Sequence, residues 1–164
     1  MIPLHRILKG CQPCTLMPST FLALHYHLIF STKDRLPCIL PPWRDRLHVY
    51  LGGTVKGLGG ICQGIGGVAD HVHLLVGLKA THCLADFMRE LKKSSSAWVH
   101  GEMGQREFSW QEGYGAFTVS PTARPQVRRY LANQEEHHRT KTFREELAEF
   151  LKKAEVVYED RYLD

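Results

Sequence analysis

The pattern of apolar and polar positions changes period several times along the chain, and each change marks an element. Phe21–Thr32 is rich in aromatic and β-branched residues and predicts a strand. Pro41-Pro42 then opens a helix over about 42–56, because proline is tolerated in a first helical turn. Six glycines between Gly57 and Gly67 mark a hairpin that joins strands near 61–67 and 70–78. His82–His100 returns to helical spacing, with Leu84, Phe87, Met88, Leu91 and Trp98 along one side. A polar loop over 101–113 leads to a short strand, Tyr114–Ser120, and helices at about 123–139 and 143–154 follow. The order β-α-β-β-α-β with terminal helices predicts an α+β, ferredoxin-like (split βαβ) antiparallel sheet, with helices on one face plus C-terminal helices. Residues 1–20 show no periodicity and read as a loosely ordered leader. Residues 21–164 then form a single domain, as a length of 164 residues favours.

Composition narrows the class. Hydrophobic residues at 43% and charged residues at 23% fit a soluble globular chain and exclude wholesale disorder. No apolar run approaches 18 residues, so no membrane span is expected. Five cysteines, an odd number without framework spacing, point to a reducing cytosol. Cys11-Gln-Pro-Cys14 has no second pair to complete a zinc site. The net charge of +4 is unevenly spread: residues 1–142 carry +7 and residues 143–164 carry −3. A basic body suits a polyanionic partner. Gly64-Ile-Gly66-Gly67-Val-Ala69 fits a loose dinucleotide pattern, but it runs into a strand where that fingerprint must open a helix.

Two constellations could carry chemistry. In Asp70-His71-Val72-His73-Leu74-Leu75-Val76 the strand period puts His71 and His73 on one face, about 7 Å apart, where they can converge on one metal ion. The bland alternative is a half-exposed strand that carries histidines. Histidine-triad nucleotide hydrolases need a third alternating histidine, and Leu75 stands there instead. The second constellation is helical: Tyr130, Gln134 and His138 recur every four residues and form one stripe. Tyrosine is a competent oxygen nucleophile once its proton is removed or offset by a cation. Gln134 can offer such a cation an amide oxygen, and Arg128 and Arg129 can meet a phosphate.

Together, His71-Val72-His73 and Tyr130-x-x-x-Gln134 resemble the single-tyrosine HUH transposases of the insertion-sequence 200-like kind, including those associated with repetitive extragenic palindromes. The words His25-Tyr26-His27-Leu28-Ile29-Phe30, Trp110-Gln111-Glu112-Gly113-Tyr114-Gly115 and Asn133-Gln134-Glu135-Glu136-His137-His138 extend the likeness from about Leu22 onward. The resemblance implies a metal-dependent enzyme that nicks single-stranded, hairpin-containing DNA and transfers the strand through a 5′-phosphotyrosine intermediate. It implies Tyr130 as nucleophile and His71, His73 and Gln134 as ligands of Mg²⁺ or Mn²⁺, with His138 as a further ligand or orienting group. It also implies a homodimer in which the tyrosine helix commonly serves the partner's histidines. Lys33, Lys92, Lys93, Arg124, Arg128 and Arg129 are candidate phosphate contacts. Two alternatives stay open: a non-catalytic single-stranded nucleic-acid-binding module, and a metal-dependent phosphodiesterase without a covalent step.

Overall fold

The computed structural model describes residues 21–160 and Leu163; the expected leader and its Cys11–Cys14 pair lie outside them. The elements are β1 (His25–Ser31), α1 (Pro41–Gly57), β2 (Ile61–Gly67), β3 (His71–Gly77), α2 (Leu84–Glu102), β4 (Gly115–Thr118), α3 (Arg124–Ala132), α4 (Gln134–His137) and α5 (Phe143–Lys153). The strands form one antiparallel sheet in the order β2-β3-β1-β4, the arrangement that a split βαβ unit requires.

One face of the sheet carries the main core. Leu28 and Phe30 of β1 and Val72, Leu74 and Val76 of β3 pack there against α1 and α2. Helix α1 contributes Trp43, Leu47, Leu51 and Val55, a repeat of four that keeps one stripe on the sheet. Helix α2 contributes Phe87, Met88, Leu91 and Val99, plus buried Ser95, whose hydroxyl donates to the Leu91 carbonyl and accepts from Trp110 Nε1 at 2.9 Å. Each large apolar side chain buried here stabilises the fold by about 1.5–3 kcal/mol.

The opposite face belongs to the C-terminal helices. Helix α3 crosses β2 and β3, while α5 covers β1 and β4 through Phe150 on Phe117 and Leu147 near Gly115. All seven residues of β3 are therefore buried, and the half-exposed strand considered from the sequence does not occur. Glycines make the close approach of α3 possible. A bulge between Cys62 and Gly64 resets the register, so that Gly64 pairs with Leu75 and Gly66 with His73. A Cβ on Gly66 would lie 1.9 Å from the Leu131 carbonyl oxygen. The glycines that read as a hairpin signal also form the surface on which the tyrosine helix lies.

The single helix expected over 123–139 is interrupted. Helix α3 ends at Ala132, and Asn133 leaves the helical region at φ −107°, ψ 23°. Its N–H reaches back only three residues, to the Tyr130 carbonyl at 3.2 Å. Helix α4 restarts at Gln134, which turns a buried side chain toward the sheet.

Candidate active site

Strand register assembles the histidines. Ser31 pairs with His71, Ile29 with His73 and His27 with Leu75, so His27 and His73 are diagonal neighbours on the face under α3 and α5. Their rings stack with centroids 5.1 Å apart, and His27 Nε2 and His73 Nδ1 share a hydrogen bond of 2.9 Å. His71 Nδ1 faces the Asp70 carboxylate at 2.7 Å. That contact fixes Nδ1 as the protonated nitrogen and leaves the Nε2 lone pair free, the orientation used by carboxylate-supported metal histidines. His138 Nδ1 likewise donates to the Lys141 carbonyl at 2.9 Å, which frees its Nε2.

These nitrogens converge on a residue that the sequence reading did not single out. Glu146 of α5 is 3% exposed, and its Oε2 lies 3.2 Å from His73 Nε2, 3.5 Å from His138 Nε2 and 4.0 Å from His71 Nε2. Its Oε1 lies 3.2 Å from His137 Nε2. Yet Glu146 Oε1 and Oε2 make no hydrogen bond, nor do His71 Nε2, His73 Nε2 or His137 Nε2. Buried polar atoms are nearly always partnered, so five close, unpaired ones ask for something between them. Donor atoms of His71, His73, His138 and Glu146 all lie within 4.8 Å of one another. Gln134 joins the set from the side: its Oε1 stands 3.2 Å from His138 Nε2. Two acceptors that close, with the proton of His138 already on Nδ1, are arranged as co-ligands of a cation. The donor set is thus chemically suited to a divalent ion.

Electrostatics agree with this arrangement. Burial pushes His27 down to about 4. Burial, then the neighbouring imidazoles His71, His27, His138 and His137, push His73 well below its ordinary value. His138 and His137 are also lowered, chiefly by burial. These rings are neutral near pH 7 and keep lone pairs for a metal. Glu146 is pushed up to about 8 by burial, then by the charges of Asp70 and Glu149. A cation beside it would reverse that preference.

Tyr130 stands at the edge of the cluster. Its ring centroid is 5.7 Å from His73, 6.0 Å from His27 and 5.2 Å from His137, and its buried hydroxyl has no hydrogen-bond partner. The tyrosine helix therefore packs on the histidines of its own chain. A cavity of about 330 Å³ opens beside it, lined by His27, Tyr130, His137, Lys141, Glu146 and Lys153 among others.

The structure brings His71, His73, Gln134, His138 and Tyr130 together and scatters the candidate phosphate contacts. Lys33 and Lys93 are exposed, as are Arg128 and Arg129. Arg124 Nε donates to the Pro121 carbonyl at 3.2 Å. Lys92 lies under the other face of the sheet, against Phe30, where Nζ donates to the carbonyls of Gln111, Glu112 and Gly113 at 2.8, 3.0 and 2.6 Å. It holds the 111–113 loop, and its role there is structural. His27, His137, Lys141 and Glu146 were missed. Only Glu146 left a legible signal, as an acidic residue inside the stripe Phe143, Leu147, Phe150, Leu151 of an amphipathic helix.

A split βαβ sheet whose histidine face meets a tyrosine helix is the architecture of tyrosine-dependent DNA-processing enzymes, and sequence comparison agrees. Residues 20–134 match the family "Transposase IS200 like", and the chain belongs to that family. A curated relative, the ISDra2 transposase TnpA of Deinococcus radiodurans, is 27% identical over 117 residues, which cover 68% of this chain and 84% of the relative. A crystal structure described as a transposase from D. radiodurans R1 superposes with a TM-score of 0.58 at 27% identity, over 71% of this chain and 95% of the other. A REP-associated tyrosine transposase bound to a REP hairpin superposes with a TM-score of 0.55 at 13% identity, over 73% and 74% of the two chains, a likeness of fold. Among the described residues, no helix is long and apolar enough to cross a membrane.

Proposed function

We propose that this chain nicks single-stranded DNA beside a hairpin and transfers the strand through a covalent bond to Tyr130. The observation that carries the reading is the buried tyrosine hydroxyl, without a hydrogen-bond partner, beside a cluster of equally unpartnered imidazole and carboxylate groups. The side chains that would hold a divalent ion, Mg²⁺ or Mn²⁺, are His71, His73 and Gln134, with His138 beside them. When bound, such an ion supplies Lewis acidity to the scissile phosphate and a template for its orientation.

The chain's own groups account for the rest. Asp70 and the Lys141 carbonyl hold His71 and His138 in the tautomer that presents Nε2. Phe143, with its ring 4.3 Å from that of His71, and Phe150, 5.1 Å from His27, keep water off the cluster. Tyr130 Oη forms a bond to phosphorus and the P–O3′ bond breaks. The phenol proton leaves, and the departing 3′-oxygen takes up a proton to become a hydroxyl. Lys141 and Lys153, on the wall of the cavity, stand where a neighbouring phosphate would pass. The site works in cis, and a homodimer pairs two complete sites. A DNA substrate sets the reaction in the cytosol.

The experiment is incubation with a labelled oligonucleotide that has a hairpin and a single-stranded flank, in Mn²⁺, followed by denaturation. Label that stays on the protein supports the reading. Cleavage without attached label supports a phosphodiesterase, and binding without cleavage supports a binding module.

A further inference from the structure

The family match ends at residue 134, so the donors of His138 and Glu146 come from a segment beyond it. Resting on the metal site proposed above, we propose that Glu146 is a direct ligand of the ion, which thereby clasps α5 to β3. Three observations carry this. Glu146 is 3% exposed, and neither carboxylate oxygen has a hydrogen-bond partner. A buried carboxylate without compensation is strongly destabilising, so its burial calls for a cation.

Its position is also imposed from outside the cluster. Thr142 and Glu145 form a reciprocal capping box that starts α5 at Phe143, and Phe143 packs on the His71 ring while Phe150 packs on His27 and Tyr130. Glu146 sits between those two anchors, one turn from each, and is held at the cluster by the helix that carries it.

Finally, the chemistry fits. Three neutral imidazoles supply no charge, and one carboxylate halves that of a divalent ion. A set of three nitrogens and one oxygen suits Mn²⁺, Co²⁺ or Zn²⁺ better than Mg²⁺, which prefers oxygen ligands. Ion-to-ligand distances of about 2.0–2.2 Å put ligand atoms within about 4.4 Å of one another, close to the present spread of 4.8 Å.

The test uses the full chain and Mn²⁺. Metal-free protein is titrated calorimetrically, and exchange of the α5 amides is followed with and without Mn²⁺. Loss of an outer-shell partner already costs 10–100-fold in metal affinity, so Glu146→Gln should weaken Mn²⁺ binding at least about tenfold. In the parent chain, Mn²⁺ should slow exchange across Phe143–Lys153, and in Glu146→Gln it should not. Unchanged affinity in Glu146→Gln, with affinity lost in His73→Ala, would overturn the clasp and leave the metal site standing. Exchange in the parent's α5 that is indifferent to Mn²⁺ would overturn the clasp without any variant. Unchanged affinity in His73→Ala would remove the metal reading itself.

Discussion

Tyr130→Phe removes one oxygen and keeps the ring. A tyrosine on a polar helix ordinarily loses a hydrogen bond in that exchange, at about 0.5–1.5 kcal/mol. Here the hydroxyl is buried and has no partner, while the ring packs edge-on against His27, His73, His137 and Phe150. The variant keeps those contacts and removes an unsatisfied polar atom, whose burial costs about 1–3 kcal/mol. The sign therefore reverses, and Tyr130→Phe should be more stable than the parent. At about 2–4 °C per kcal/mol for a chain of this size, the midpoint should rise by several degrees. Thermal and urea unfolding of the metal-free proteins measure the effect, beside cleavage of a hairpin oligonucleotide. The expected pair is higher stability with cleavage abolished, the signature of a strained functional group. A variant less stable by 1 kcal/mol would show that the hydroxyl is bonded in solution. Retained cleavage would remove Tyr130 from the chemistry.

The remaining expectations concern packing, pH and assembly. Gly66→Ala should cost about 1–3 kcal/mol, typical of overpacking, and lower cleavage, because its Cβ meets the Leu131 carbonyl and pushes the tyrosine helix off the sheet; unfolding and cleavage assays measure both. Metal-free protein should be most stable near pH 6.5 in pH-resolved melts. His27, His73, His137 and His138, lowered from 6.5, bind fewer protons folded than unfolded, so stability falls as pH drops toward about 4. Glu146, raised to about 8, binds more protons folded, so stability also falls as pH rises from about 4.5 to 8, and Mn²⁺ should flatten that alkaline limb. Because Tyr130 packs on His73 of its own chain, mixing His71→Ala with Tyr130→Phe protein should restore no cleavage at any ratio; recovery would show a site shared between subunits.

Much of this site was legible in the sequence because it rests on short-range periods. A strand period of two puts His71 and His73 on one face, and a spacing of four brings Gln134 to His138. The element order implied the sheet, and β2 spans Ile61–Gly67 as the glycine pattern predicted. What stayed hidden depends on contacts distant in sequence. The 46-residue separation of His27 and His73 closes through strand pairing, and Glu146 reaches the cluster through the docking of α5. The break at Asn133 was invisible because asparagine is tolerated inside helices and the stripe ran on past it. The resemblance pointed to a tyrosine helix shared across a dimer, whereas the loop at 133 and the glycine surface of β2 let α3 fold back onto its own sheet. Lys92 looked like any surface lysine until its three carbonyl acceptors were placed.

The claim at the centre of the account is that one tyrosine becomes covalently attached to DNA. Peptide mass spectrometry of the adduct trapped from a hairpin oligonucleotide tests it directly. The account predicts one nucleotide-modified peptide, spanning the α3–α4 segment and carrying the phosphate on Tyr130, absent when His73 is replaced by alanine. A modification on Tyr114 or Tyr158, or cleaved DNA with no modified peptide, would contradict it.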